Sequence, residues 1–110
     1  MGFVAYAAWT FKEDRVREGQ AYGFAIGETH DQVFQRALTL LAAGEITEIH
    51  RWPKESFHFA FSEGDLPDAR QDSRWTMIVN PRWWNDSITL EFEDGRLIEI
   101  YRFRVCCEFP

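Results

Sequence analysis

The chain has 110 residues, 45% of them apolar and 16% aromatic, which is enough material for one domain with one core. It contains no run of about 18 apolar residues, so no segment reads as a membrane-spanning helix. The formal net charge of −6 opposes binding to phosphate backbones and excludes nucleic acid as the expected partner.

The first eleven residues are apolar but short, have no basic lead, and run directly into Lys12-Glu13-Asp14-Arg15. That is not the layout of a signal peptide. Both cysteines are adjacent, Cys106-Cys107, where a mutual bridge is strained. They are expected to be reduced thiols in a terminal strand, which points to the cytoplasm.

Phe3, Ala5, Ala7, Trp9 and Phe11 alternate and predict a first strand, followed by a polar link from Lys12 to Gly19. A second strand is expected over Gln20 to Ile26, with Tyr22, Phe24 and Ile26 on one side and a long loop joining the pair. The spacing then predicts a helix over 30–43. Thr29 and Gln32 form a capping box, Asp31 suits the positive end of the helix dipole, Val33, Phe34, Ala37, Leu38, Leu40 and Leu41 make an apolar stripe, and Gly44 stops it.

Strands are expected at Ile46 to Trp52, Phe57 to Phe61, Arg74 to Asn80, Ser87 to Glu93 and Arg96 to Val105. A polar loop separates the second from the third, and a turn at Pro81 to Asp86 carries Trp83 and Trp84. In the last hairpin, a two-residue loop at Asp94-Gly95 pairs Leu90 with Glu99 on the core face. A type I turn with Gly95 as a bulge instead sets Leu90 opposite Ile98 and Ile88 opposite Ile100. The second register buries no charge and is the one expected. It leaves Leu97, Tyr101, Phe103 and Val105 beside Thr89, Glu91 and Glu99 on the far face, too apolar for solvent and too charged for core. The fold class is therefore α+β, a twisted antiparallel sheet (β-β-α, then a β-meander) with one main helix on one face.

Little in the chain reads as chemistry. His30, His50 and His58 have no Cys or His at metal-ligand spacing, so no metal or cofactor is expected. The cysteines lack a nucleophile signature, and Gly23 and Gly27 are isolated, so no enzyme is expected. Two features suggest binding. Trp83 and Trp84 are adjacent in a turn, so both cannot point inward; at least one serves as an interface anchor or as a lid over the core. The stretch from Glu63 to Asp72 holds four acids against one arginine and reads as a solvated loop or as a device that steers a basic partner.

A resemblance adds to this. Ile26-Gly27-Glu28-Thr29 leading into Val33 looks like the opening of small bacterial α+β domains. Trp75, then Ile88-Thr89-Leu90, Phe92, Asp94-Gly95, Leu97 and Ile100, resembles the last hairpin of bacterial immunity proteins, and Glu108-Phe109-Pro110 is similar to their ends. Immunity proteins are antidotes co-produced with contact-delivered or secreted toxins. The resemblance implies a cytoplasmic chain, a monomer or weak dimer alone, that binds a basic toxin domain, such as a nuclease, and blocks its active site. Glu63, Asp65, Asp68, Asp72, Trp83, Trp84, Glu91, Tyr101 and Phe103 are then the expected contact residues. Two other readings stay open: a small-ligand domain with an apolar pocket lined by Phe57, Phe59, Phe61 and Trp75, and a homo-oligomeric assembly subunit.

Overall fold

The capping residues place the helix where the sequence puts it. In the computed structural model, which describes residues 10–54, 57–79 and 85–106 and the side chains of 13–52, 60–79 and 86–104, helix α1 spans His30–Ala42. The Thr29 N–H donates to Gln32 Oε1 at 2.9 Å and the Gln32 N–H to Thr29 Oγ1 at 3.3 Å, satisfying two donors that helix geometry leaves open. At the other end the Gly44 N–H donates to Leu41 and the Glu45 N–H to Leu40, the bond pair of a Schellman motif. Val33, Phe34 and Ala37 are buried against the sheet.

The strands are β1 (Thr10–Val16), β2 (Gln20–Ala21), β3 (Phe24–Ala25), β4 (Ile46–Lys54), β5 (Phe57–Ala60), β6 (Arg74–Val79), β7 (Asn85–Glu93) and β8 (Arg96–Cys106). Six of them form one antiparallel sheet in the order β1-β8-β7-β6-β4-β5, and β2 and β3 form a separate small hairpin. The fold is α+β, as expected. No helix among the described residues is long and apolar enough to cross a membrane.

Three local expectations are corrected. Residues 12–16 of the expected polar link belong to strand β1, which continues the expected first strand from Thr10 and pairs with β8 from Thr10↔Cys106 to Val16↔Ile100; the apolar alternation at 3–9 lies outside the described residues. β1 is an edge strand, and charged residues there carry little penalty. The single strand expected over Gln20 to Ile26 folds back on itself, because Tyr22 and Gly23 both adopt positive φ and turn it into a two-residue hairpin. The polar loop after β5 contains a 3₁₀ turn (Glu63–Asp65) and a short helix α2 (Leu66–Ala69), whose Leu66 and Ala69 enter the core.

The hairpin register is also corrected. Asp94 (φ 52°) and Gly95 (φ 76°) are both left-handed, so the turn is the two-residue mirror form that Asp-Gly favours. Glu93 pairs with Arg96 and Phe92 with Leu97. Ile98 is then an extra residue in β8, which restores phase so that Glu91 faces Glu99 and Leu90 faces Ile100. Leu97 is therefore fully buried, while Ile98 is 41% exposed. The bulge is held from outside, since Leu97 exchanges backbone hydrogen bonds of 2.8 Å with Gly27 and Glu28, just before α1. Tyr101 and Phe103 do lie on the far face, as expected.

The core centres on Trp75, completely buried, with the rings of His30, Phe61 and Phe92 at 5.0–5.2 Å and Phe34 at 6.2 Å. Phe61 and Trp75 thus fill space rather than line the apolar pocket entertained above; the side chains of Phe57 and Phe59 lie outside the described set.

Register is tested by a pair of substitutions. Leu97→Ala is expected to cost about 2–5 kcal/mol in urea denaturation, and Ile98→Ala less than about 1 kcal/mol. The reverse ranking would restore the rejected register.

Candidate functional site

The two faces of the sheet have different fates, and a buried polar network decides which is which. The Asp72 carboxylate accepts two hydrogen bonds of 2.9 Å from the Arg51 guanidinium and one of 3.2 Å from the Trp75 indole. Its backbone carbonyl accepts from His30 Nε2 at 2.9 Å, which places the imidazole proton on that nitrogen. Asp72, Arg51 and His30 are all nine-tenths or more buried. His30 also stacks on Phe92 at 3.8 Å. The network joins β4, β6, the loop after α2 and the first turn of α1, and it fastens 62–73 over the helix side of the sheet. A second tie runs from Arg70 to Asp31 at 2.7 Å.

The expected acidic contact residues are therefore separated from the others. Asp72 is withdrawn into the core, where its charge is satisfied by Arg51, and it is not a surface residue. Glu63 and Asp68 are exposed on the helix side, and Asp65 turns back to accept from the Ser62 N–H at 3.0 Å. Glu91, Tyr101 and Phe103 lie on the opposite side of the sheet. Trp83 and Trp84 lie outside the described residues.

No described element covers that opposite face. A cross-strand row of contacts spans five strands there. Arg15 from β1 lies over the Tyr101 ring at 4.6 Å and reaches Glu99 at 2.6 Å, and Arg17 holds the other oxygen of Glu99 at 2.8 Å. Glu91 stands directly across from Glu99 and is held by Arg74 at 2.7 Å. Arg74 lies over the Trp52 ring at 5.2 Å, and the Trp52 indole donates to Thr76 at 2.9 Å. Thr76 bonds Thr89 at 3.2 Å, and Tyr101 stacks with Phe103. Two carboxylates in direct cross-strand opposition repel; the arginines on both flanks offset this. Burial alone pushes the Glu99 carboxyl up, but Arg17 and Arg15 outweigh it and hold the group below its ordinary value. Burial and the Glu13 carboxylate push the Tyr101 phenol up.

These side chains line a shallow groove of about 310 Å³. Among the described side chains the face carries the carboxylates of Glu13, Glu48, Glu91 and Glu99 and the guanidiniums of Arg15, Arg17 and Arg74, with Glu93 opposite Arg96 at one end, so charges of both signs interleave and nearly cancel. Further exposed acids, Glu63 and Asp68, stand on the helix side. The sequence reading missed Trp52, Arg74 and Arg15. The signal for Arg74 was present in the alternation around Trp75, which puts Arg74, Thr76 and Ile78 on the side away from the core. Among the described residues no three His, Cys, Asp or Glu side chains gather as a metal-ligand set.

Comparison with protein-family models, with curated proteins and with solved structures finds no match to this chain.

Two stability outcomes follow from the network. Asp72→Asn, which takes the bidentate countercharge away from the buried Arg51 guanidinium, is expected to cost about 3–5 kcal/mol in urea denaturation. Burial lowers the His30 pKa below its ordinary 6.5, against smaller opposing effects of Asp72 and Asp31. The unfolded chain then binds this proton more readily, so stability is full above pH 6.5 and falls as the pH drops through that value towards the folded pKa. Comparing unfolding at pH 7.5 and 5.5, on either side of the ordinary value, should show a smaller loss in His30→Gln than in the unmodified chain.

Proposed function

We propose that the chain is a protein-binding inhibitor of the immunity type, which neutralises a toxin domain by docking it on the uncovered face of the sheet. The observation that supports this most is the row of paired, half-buried polar and aromatic side chains from Arg15 to Trp52. Such groups are already fixed by ion pairs and hydroxyl contacts, so a partner that meets them loses little side-chain entropy. Tyr101 and Trp52 supply ring area of the kind that dominates interface energies, and the arginines add planar donors.

Size is compatible. Five strand spacings of about 4.8 Å and seven residues at about 3.3 Å give a flat area of roughly 550 Å² before side-chain relief, of the order of the ~800 Å² per partner in a standard interface. Charge enters in two ways. The net −6 attracts a cationic partner at long range and raises the encounter rate. The contact face itself, nearly neutral, calls for a partner surface of mixed sign rather than a uniformly basic one. The resemblance to immunity proteins supports a toxin domain as the partner, and the paired side chains of the sheet face support that face as its place of docking.

Growth rescue tests the reading. Co-expression of this chain in cells poisoned by a candidate toxin domain is expected to restore growth. Tyr101→Ala and Arg74→Ala should each weaken the complex by more than about 2 kcal/mol in calorimetry, while Asp68→Ala should change it by less than about 1 kcal/mol. Loss of binding on Asp68→Ala alone would move the interface to the helix side. A dimeric mass at low concentration, lost on Tyr101→Ala, would assign the same face to self-association.

A further inference from the structure

α1 covers only part of the sheet. Past its last turn the helix side opens into a cleft of about 720 Å³, within the roughly 300–1,000 Å³ typical of small-molecule sites. Ile46, Val79 and Ile88 form its floor, with Leu40 on one wall and Tyr22, from the β2–β3 turn, on the other. One end is closed by Gly44 and Glu45, just after the helix, and the other by Arg102. Beyond Arg102 a recess of about 170 Å³ shares Tyr22 and Arg102 with the cleft and adds Glu13, Asp14 and Arg104.

The charges of that recess do not all find partners. Arg102 is engaged with Asp86 through two bonds of 2.7 and 2.8 Å, and its guanidinium lies 4.9 Å from the Tyr22 ring. Asp14 accepts from the Tyr22 hydroxyl. Glu13 is hydrogen-bonded to Tyr101 on the other face. Arg104 remains. Its Nε is buried and has no hydrogen-bond partner, and among the described residues its guanidinium makes no ion pair. A buried donor on a charged group with no acceptor is costly, and native structures rarely leave one.

We infer that this cleft binds a small amphipathic monocarboxylate, with its aliphatic tail on Ile46, Val79 and Ile88 and its carboxylate on Arg104 beside Arg102. A carboxylate matches the planar fork of a guanidinium, and charge-assisted bonds of this kind are strong. Orientation is set by the ends of the cleft. Glu45 and the carbonyl end of α1 repel an anion at one end, whereas at the other the carboxylates of Asp14 and Asp86 stand against two guanidiniums, so the head group sits against Arg104. The site lies on the helix side of the sheet and does not depend on the partner proposed for the opposite face.

The test is a methyl-resolved NMR titration of the full chain with sodium octanoate, octanol and octylammonium chloride, each up to about 5 mM, the range in which weak ligands register. Octanoate is expected to shift the methyls of Leu40, Ile46, Val79 and Ile88 and the Arg104 Nε–H, and to bind at least about tenfold more tightly than the other two. Arg104→Gln should remove that preference, leaving octanoate no better than octanol. If Arg104→Gln fails to fold, Val79→Trp, which fills the cleft from its floor, should abolish the shifts instead. Equal affinity for octanoate and octanol, shifts confined to the outer face around Thr89 and Tyr101, or no shift at all would overturn the inference.

Discussion

The carboxylate of Asp72 is the contact on which the arrangement of this molecule turns. It collects both arms of the Arg51 guanidinium and the Trp75 indole, while its own backbone carbonyl takes the His30 proton. Three segments far apart in sequence, around His30, Arg51 and 72–75, meet at one residue. A buried ion pair of this kind contributes little net stability over an apolar substitute, but losing one partner is severe, because the other charge is then stranded. Its structural effect is positional: it holds the segment 62–73 and the start of α1 over one face of the sheet. Among the described residues no element covers the other face.

In the proposed reading this face is stable in water and still offers contacts to a partner. The rings of Tyr101 and Trp52 are braced by guanidiniums, and the opposed carboxylates of Glu91 and Glu99 are flanked by arginines on either side. Exposed pairs of this kind each contribute only about 0–1 kcal/mol to folding. Their use lies in fixing the side chains in one arrangement, so that the surface is preorganised. A flat, nearly neutral plate with fixed polar groups also resists indiscriminate association better than an open apolar sheet would.

Much of the architecture was legible in the sequence, for reasons that can be named. Thr29 and Gln32 announce the helix because capping chemistry is local, and Trp75 and Met77 announce β6 because a half-buried strand alternates. Tyr101 and Phe103 were assigned to the far face correctly, although the turn was not: a one-residue bulge at Ile98 compensates for the shorter loop, and nothing in the local pattern marks it. Residues 12–16 of β1 were read as a polar link because an edge strand tolerates charge on both sides, which erases the hydrophobic signal. Asp72, Arg51 and His30 were hidden for a different reason. Pattern reading sends polar residues outward, and their mutual satisfaction depends on contacts between residues 21 to 42 positions apart. The acids of the loop after β5 therefore looked like part of the same surface as Glu91 and Tyr101, whereas the fold sets them on the opposite side.

The proposal that the open sheet face receives a toxin domain is tested most directly by carboxyl footprinting, in which a carbodiimide label is read by mass spectrometry on the free chain and on the chain in complex with the toxin domain that it rescues cells from. Glu13, Glu48 and Glu91 are expected to lose label in the complex, while Glu63 and Asp68 label as they do in the free chain. Protection of Glu63 and Asp68 with Glu13, Glu48 and Glu91 unchanged would contradict the account.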